Sequence, residues 1–400
     1  MKAPSIDKEK ALIVLGDLSY PSGNSLSNRI HLYSKGIRDE KIFPFIINIQ
    51  SSHKEKQDYD YLGRFEGIPF YYAQKTSLYQ TNPIRRNFKK ALGVFNTLAM
   101  INRLRKNRKV TVLYYSISFH YELIFFLYLK ILRIPIVKEC NEAPLFLIKE
   151  KKNLKFHTFL LKHVELKMYN QIIVISDYLY KYYCHYLSAN KILQVPILVD
   201  MKRFCNVPVQ KKEKSNEKII TYIGSMVGNK DGLEDLIEEI SLIEKSQNQI
   251  KLQLVGTAKD YHIKKLKNKV RAMGLEDVVN FLGLKKSIEI PKILMNSDLL
   301  VLSRPDTNQS KAGFPTKLGE YLASGRPVVI TTTGEIPKYL TDEKNAYLVK
   351  PDQIENFAKK IVYALNDKNA LKIGAEGYQV ANKNFNYHLY GNKLSNFLFQ

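Results

Sequence analysis

The stretch that most limits how this chain can fold runs from Ala312 to Val329 and reads A-G-F-P-T-K-L-G-E-Y-L-A-S-G-R-P-V-V. Gly313, Phe314 and Pro315 make a turn that cannot be helical, and Thr316 is a good N-cap residue for a helix beginning at Lys317. Leu318, Tyr321 and Leu322 then recur at helical spacing, and Gly325 stops the helix. Arg326 and Pro327 turn the chain into a short buried strand, Val328 to Thr331. The unit is loop, helix, loop, strand. The open amides at the start of such a helix suit an anion such as a diphosphate. Glu320 stands one turn into the helix. Its carboxylate can accept two hydrogen bonds from a vicinal diol such as a ribose, or it is a surface glutamate of an ordinary helix.

The same alternation runs through the rest of the 400 residues, a length that suits two domains. Ala11 to Leu15 is a first strand, too short for the core of a signal peptide, followed by the loop Pro21, Ser22, Gly23, Asn24. Ser25 or Ser27 can cap the next helix, which carries Ile30, Leu32, Tyr33 and Ile37. Strand, glycine loop, helix opens a doubly wound domain, and the lack of G-x-G-x-x-G excludes a dinucleotide fingerprint. Arg29 faces a phosphate or solvent; the sequence leaves both open. Further strands are Phe43 to Ile49, Val110 to Ile117, Ile134 to Glu139 and Gln171 to Ser176. Ser118, Phe119 and His120 end the strand at Ile117, and Tyr121 to Arg133 is the next helix. His120 therefore stands at the carboxyl end of a strand, where α/β sheets place ligands, unless it is a plain loop residue. Glu139, Asn141 and Glu142 lie beyond the following strand and can line an acceptor site. After a polar, lysine-rich stretch from Asn206 to Lys218 the alternation restarts as Y-I-G-S-M-V-G-N-K-D-G-L-E-D-L-I. Gly224 permits close backbone approach there and Lys230 can hold a phosphate. Strands follow at Lys251 to Gly256, Val278 to Gly283, Asp298 to Ser303 and Asn345 to Pro351, with a helical, aromatic tail from about Gln379.

Charge narrows the partners. The net charge is +24, and Gly67 to Tyr121 holds ten lysines and arginines without one Asp or Glu. Such a balance points to nucleic acid, acidic lipid or a phosphorylated substrate. Asn82 to Arg105 reads as an amphipathic helix with a stripe of Ile84, Phe88, Leu92, Phe95, Leu98, Ile101 and Leu104 and its cations off that stripe. It can lie on an anionic bilayer or be a core helix with a solvated basic face. No apolar run reaches the ~20 residues of a membrane span. Cys140, Cys184 and Cys205 show no paired spacing, which points to a reducing compartment and no metal site.

Residues 312–320 resemble the donor signature of retaining glycosyltransferases with two Rossmann-like domains, family four of the GT-B fold: a Glu, seven residues, then a second Glu. Glu320 matches the second, which in that family binds the donor ribose; Ala312 stands where the first belongs. Pro315-Thr316-Lys317 resembles a subgroup of bacterial polysaccharide enzymes. Pro196, Asp200 and Phe204 fall on the family's inter-domain crossing, and Lys230 matches its phosphate-gripping lysine, with Asp231 inserted before Gly232 and Ser225 where an arginine is usual. Lys317 or Arg304 can replace the missing cation. His120 resembles the family's catalytic-site histidine, and the loop Ser22 to Asn24 its first glycine-rich loop.

The resemblance implies an α/β protein of two doubly wound domains facing a cleft. Residues 1–200 would bind the acceptor, 201–217 form a linker, 218–378 bind the nucleotide-sugar, and 379–400 return to the first domain. It further implies transfer with retention from a UDP- or GDP-type donor. Gly224, Ser225, Lys230, Gly313 to Lys317 and Glu320 would hold the donor, and no metal or other cofactor is needed. The expected acceptor is a saccharide or polyprenyl-linked saccharide, as in capsule, exopolysaccharide or O-antigen synthesis. The expected place is the cytoplasm, peripheral at the inner face of the membrane. A non-catalytic binding protein of the same fold is the alternative, since Ala312 and Ser225 each remove a polar group. An epimerase or phosphorylase fits the signature less well, and no recognition motif supports nucleic acid.

Overall fold

The computed structural model describes residues 9–21, 25–51, 60–115, 118–144, 158–208, 217–227, 230–244 and 249–400. The chain divides into two compact units. Unit 1 comprises Met1–Ile175, Leu179–Val195 and Tyr387–Gln400; unit 2 comprises Ser176–Tyr178 and Pro196–Asn386. The sequence placed these boundaries at residue 200 and at residue 379.

Unit 1 runs β1 (Glu9–Gly16), α1 (Ser25–Asp39), β2 (Phe43–Asn48), β3 (Leu62–Phe65), β4 (Ile68–Tyr72), α2 (Pro83–Arg105), β5 (Arg108–Tyr115), α3 (Phe119–Ile131), β6 (Ile136–Cys140), β7 (Gln171–Val174), α4 (Asp177–Cys184) and β8 (Ile192–Gln194). The sheet order is β3-β4-β2-β1-β5-β6-β7-β8, parallel except for β3, which pairs antiparallel with β4. Ala11 to Leu15 are fully buried, the continuous apolar run of a strand covered on both faces. The order turns between β1 and β5, which makes their carboxyl ends the topological switch point of this sheet.

Unit 2 runs β9 (Lys218–Ile223), α5 (Leu233–Glu244), β10 (Ile250–Val255), α6 (Asp260–Ala272), β11 (Val279–Gly283), α7 (Ile290–Met295), β12 (Leu299–Leu302), α8 (Asn308–Ala312), α9 (Lys317–Ala323), β13 (Val328–Thr331), α10 (Ile336–Tyr339), β14 (Tyr347–Val349), α11 (Ile354–Asn366) and α12 (Ala370–Asn384). Its six strands are all parallel in the order β11-β10-β9-β12-β13-β14, the doubly wound Rossmann order. The switch point lies between β9 and β12. The last helix, α13 (Gly391–Leu398), packs on α1 of unit 1, where a Cβ on Gly391 would sit 2.5 Å from the Gly36 carbonyl oxygen.

Several expectations need correction. Phe119 and His120 begin α3 instead of ending a strand, because Ser118 takes the N-cap position. Ser27 donates its hydroxyl to the Leu18 carbonyl (2.5 Å). In α2 the expected stripe is buried only at its end, at Ile101 and Leu104. Gly93, Thr97, Ile101 and Leu104 are buried, while Ile84, Phe88 and Phe95 are exposed. Asn82 caps this helix, accepting from the Ile84 and Arg85 amides (3.0 and 3.1 Å).

Candidate functional site

The cluster that most resembles a binding site stands at the switch point of unit 2. β9 brings Tyr222 and Gly224 to its carboxyl end, β12 leads into Ser303 and Arg304, and α9 begins with Lys317. Three of these residues converge on Asp231. Lys317 pairs with Asp231 through Nζ and Oδ2. Lys317 Nζ also donates to the Tyr222 hydroxyl (2.8 Å), which lies 2.9 Å from Asp231 Oδ2 and 3.0 Å from the Ser225 carbonyl. Arg304 Nε stands 3.5 Å from Asp231 Oδ1.

Burial pushes the Asp231 carboxyl up, but the Lys317 ammonium and then the Arg304 guanidinium outweigh it and hold Asp231 below the usual carboxylate range. Burial pulls the Lys317 ammonium down against the attraction of Asp231, and Arg304 and Lys230 pull it further. Burial, then Asp231, keeps the Tyr222 phenol protonated far above its ordinary range. One carboxylate thus holds two cations in place. With exposed Lys230 the group carries a surplus of two positive charges, which suits an anion of the charge of a diphosphate.

Gly224 is what lets Lys317 reach this position. A Cβ there would sit 2.2 Å from Lys317 Nζ and 2.7 Å from the Tyr222 hydroxyl. Gly224→Ala is therefore expected to push the lysine tip off Asp231 and weaken anion binding about tenfold, a difference of roughly 1.4 kcal/mol. The melting point should fall as well, because Asp231 loses its lysine and the buried Tyr222 hydroxyl must shift. Titration of a nucleoside diphosphate into both proteins checks this, and equal affinity would count against Lys317 as the contact.

The signature residues divide. Gly313 ends α8, donating its amide to the Gln309 carbonyl (3.0 Å), and Pro315 is buried. Phe314 is core: its ring stacks on Tyr339 (5.5 Å between centroids) and meets Phe385 edge-on (5.6 Å). Thr316 has helical backbone angles and makes no side-chain cap, so the expected N-cap is absent, and α9 is only seven residues long. Gly325 does end the helix with its left-handed φ of +69°, and β13 spans Val328–Thr331 as expected. Glu320 pairs with Arg203, whose other nitrogen donates to the Ser287 carbonyl and hydroxyl (2.6 and 3.0 Å). Sequence reasoning missed Arg203, which lies 117 positions before its partner with no local signal. Ala312 is fully buried and its carbonyl accepts the Ser176 hydroxyl (2.5 Å). Ser225 is exposed.

In unit 1, Ser22, Gly23 and Asn24 lie outside the described residues. Arg29 faces neither phosphate nor solvent. It is buried, donates to Glu139 Oε1 (2.8 Å) and to the Val195 carbonyl (2.7 Å), and lies over the Tyr33 ring. Glu139 is a buried residue of β6, spent on Arg29 and Tyr33 (3.1 and 3.2 Å), and lines no acceptor site. The sequence left Arg29 between phosphate and solvent because its carboxylate partner is 110 positions away. His120 is exposed in the first turn of α3, its ring tilted against Tyr121 with centroids 4.4 Å apart and its Nε2 3.4 Å from the Ser118 hydroxyl.

Two parallel-sheet Rossmann-like units define the fold class, and solved structures share it. A glycosyltransferase from Rickettsia africae superposes with a TM-score of 0.71 at 16% identity, covering 97% of this chain and 98% of the other. Sucrose-phosphate synthase from Thermosynechococcus elongatus gives 0.74 at 15%, with the same coverage of each chain. HepE from Anabaena, solved with UDP and glucose, gives 0.68 at 17%, again over 97% and 98%. The fold is that of GT-B glycosyltransferases.

Residues 217–367, which hold the Asp231 cluster, match the family described as Glycosyl transferases group 1. Among curated relatives, WcaL of Escherichia coli, named for glycosyl transfer in colanic acid biosynthesis, is 28% identical over 164 residues, 41% of this chain and 39% of the relative. Mannosylfructose-phosphate synthase of Agrobacterium fabrum is 29% identical over 140 residues, 34% of this chain and 30% of the relative. The chain spans about two fifths or less of the length of the curated relatives it matches.

Proposed function

We propose that the chain is a glycosyltransferase that binds a nucleoside diphosphate-sugar on unit 2 and passes the sugar to a saccharide, free or lipid-linked, held by unit 1. The observation that carries this reading is the Lys317–Asp231–Arg304 cluster beside Gly224, at the switch point of a Rossmann sheet and inside the segment that matches the group 1 transferases. In the reaction the bond from the sugar C1 to the diphosphate breaks and a bond from C1 to an acceptor hydroxyl forms. The hydroxyl proton leaves with the diphosphate. Lys317, anchored and desolvated, faces the charge that grows on the departing diphosphate, as preorganised cations do in such transfers. This group supplies the stabilisation without a metal. Glu320 and Arg203 form a polar pair that a ribose diol can join on the carboxylate side. Retention, UDP or GDP as carrier, and His120 as a catalytic group enter this reading through the family resemblance.

The deciding experiment incubates the full chain with a panel of UDP- and GDP-sugars and lipid-linked or free saccharides. Release of one nucleoside diphosphate with a product of unchanged anomeric configuration is the expected result. Inverted product removes retention. Nucleotide binding without turnover of any donor favours the second reading, a non-catalytic binding protein. That reading draws on Ala312, which puts a buried methyl group at the position of the family's first glutamate.

The reading includes peripheral attachment to an anionic membrane at unit 1. No helix of the described residues is long and apolar enough to cross a membrane. α2 instead exposes Ile84 (81%), Phe88 and Phe95, and α3 exposes Leu123, Leu127 and Ile131. Cations flank the α2 residues, with no acidic residue between Gly67 and Tyr121. Apolar side chains amid lysines and arginines suit an acidic bilayer surface. The full chain should sediment with vesicles containing phosphatidylglycerol. The double variant Ile84→Glu/Phe88→Glu should lose about tenfold in partitioning, or roughly 1.4 kcal/mol. Equal sedimentation of both proteins would remove this face from the account.

A further inference from the structure

The residues of α2 that face the sheet follow one helical stripe: Arg86, Lys90, Gly93, Thr97, Ile101 and Leu104, spaced four, three, four, four and three. The last four are buried, as a core stripe should be. The first two are half-buried cations, while Ile84 and Phe88 are exposed. This inverts the usual arrangement of an amphipathic helix. Two half-buried cations on the lining of one cavity are placed to meet an anion.

The cations stand over a cavity. At the carboxyl ends of β2 and β4 a space of about 340 Å³ is lined by Gln50, Ser51, Gln74, Tyr79, Arg86 and Lys90. Gly93 lets α2 press against its wall, since a Cβ there would sit 3.1 Å from both Gln74 Cγ and the Ile49 carbonyl oxygen. Gln50 Nε2 donates to Asp17 Oδ2 (2.9 Å), which fixes the Gln50 amide. Burial raises the Asp17 carboxyl to about 6, with the hydrogen bonds of Gln50 and the charge of Lys90 opposing. Arg86 donates to the Tyr79 hydroxyl (2.7 Å), and Ser51 to the Thr76 carbonyl (2.5 Å). Two groups are left over. Among the described residues the Gln74 side-chain amide, in a residue only 4% exposed, has no hydrogen-bond partner, and Lys90 makes no hydrogen bond or ion pair within 4 Å. The tip of the Gln74 side chain opens onto the cavity, where a ligand hydroxyl can take the hydrogen bonds that water otherwise makes.

Amides donate to and accept from hydroxyl groups, a tyrosine ring offers a flat apolar wall, and two cations call for one negative substituent. The volume falls in the range of small-molecule sites, and carboxyl ends of parallel strands are where α/β sheets bind ligands. We propose that this cavity binds an acidic sugar, one bearing a phosphate or a carboxylate, through Arg86 and Lys90 for the charge and Gln50 and Gln74 for the hydroxyls. Its role as the acceptor end of the transfer rests on the transferase reading; the binding itself does not. The reading so becomes specific: the acceptor sugar is anionic, whether phosphorylated or a uronic acid.

The test titrates glucose 6-phosphate, glucuronic acid, glucose and inorganic phosphate into the full chain by ligand-observed NMR. The same ligands are titrated into Arg86→Gln/Lys90→Gln and into Gln74→Ala. At least one sugar acid should bind about tenfold tighter than glucose, and the double variant should lose that margin. Gln74→Ala should weaken the sugar acid and leave inorganic phosphate unchanged. Preference for glucose 6-phosphate assigns a phosphorylated sugar, and preference for glucuronic acid assigns a uronic acid. Glucose binding as tightly as the acids, inorganic phosphate binding as tightly as glucose 6-phosphate, or a double variant that binds the acid unchanged would each overturn the proposal. Nucleoside diphosphate binding is measured on the same samples. If it is present while the sugar acids fail, only the cavity proposal falls. If it is absent while a sugar acid binds, the transferase reading falls and the cavity stands.

Discussion

Arg29→Met is expected to destabilise unit 1 by about 3–5 kcal/mol, the cost of stranding one partner of a buried ion pair. For a unit of this size that is a drop of about 10 °C in melting point. The reason is local. Arg29 and Glu139 are both buried, at 2.8 Å, and Arg29 also satisfies the Val195 carbonyl. Burial pushes the Glu139 carboxyl above its usual range even with Arg29 beside it. Removing Arg29 raises it further. A carboxyl whose folded value exceeds its unfolded value contributes stability at low pH and loses it as pH rises. The deficit of Arg29→Met should therefore be larger at about pH 8 than at about pH 5. The double variant Arg29→Met/Glu139→Leu should recover most of the loss, because apolar groups of similar volume often replace a buried pair at no cost. Calorimetry of the three proteins at both pH values checks this. A single variant within about 1 kcal/mol of the parent, the scale of a surface pair, would show that the pair is not the strut of α1 against β6.

Lys317→Ala is expected to lower kcat by roughly 100-fold or more, the scale of removing one preorganised group that meets developing charge. KM for the donor should change less, because the contact strengthens as the diphosphate leaves. Lys317 is the cation held by both Asp231 and Tyr222. Steady-state kinetics on the donor identified by the panel measures the split. A variant that raises KM alone would assign Lys317 to ground-state binding.

These two sites differ in how far the sequence revealed them. Strands such as Ala11 to Leu15 and Val328 to Thr331 were legible because a parallel strand buried on both faces is a continuous apolar run. The β3–β4 hairpin at the sheet edge was not: β3 is four residues long and mostly exposed, with no apolar run to mark it. The periodicity of α2 gave the helix and its start at Asn82 correctly, and its buried face only at Ile101 and Leu104. Helical spacing does not distinguish an apolar stripe turned to solvent from one turned to a core, and the small residues Gly93 and Thr97 take the inner face.

In the candidate site, Gly224 could be read from its place just after a strand, and Lys317 through the family resemblance. Asp231 looked like an insertion but is the carboxylate on which the cations converge, because Gly232 after it turns the chain with a φ of +64°. Arg203 and the Arg29–Glu139 pair were invisible for one reason: each depends on a partner more than a hundred positions away. Pairings of that kind are set by the sheet order, not by local spacing.

The most direct test of the account is nucleotide binding at the Asp231 cluster. UDP, GDP, ADP, CMP and dTDP are each added to the full chain, to Lys317→Ala and to Glu320→Ala, and the melting point is followed. A ligand at about 100 times its dissociation constant stabilises the native state by roughly 2.7 kcal/mol. The account predicts that one nucleoside diphosphate raises the melting point of the parent and that both variants lose most of the rise. No shift with any nucleotide, or a shift that survives in Lys317→Ala, would contradict it.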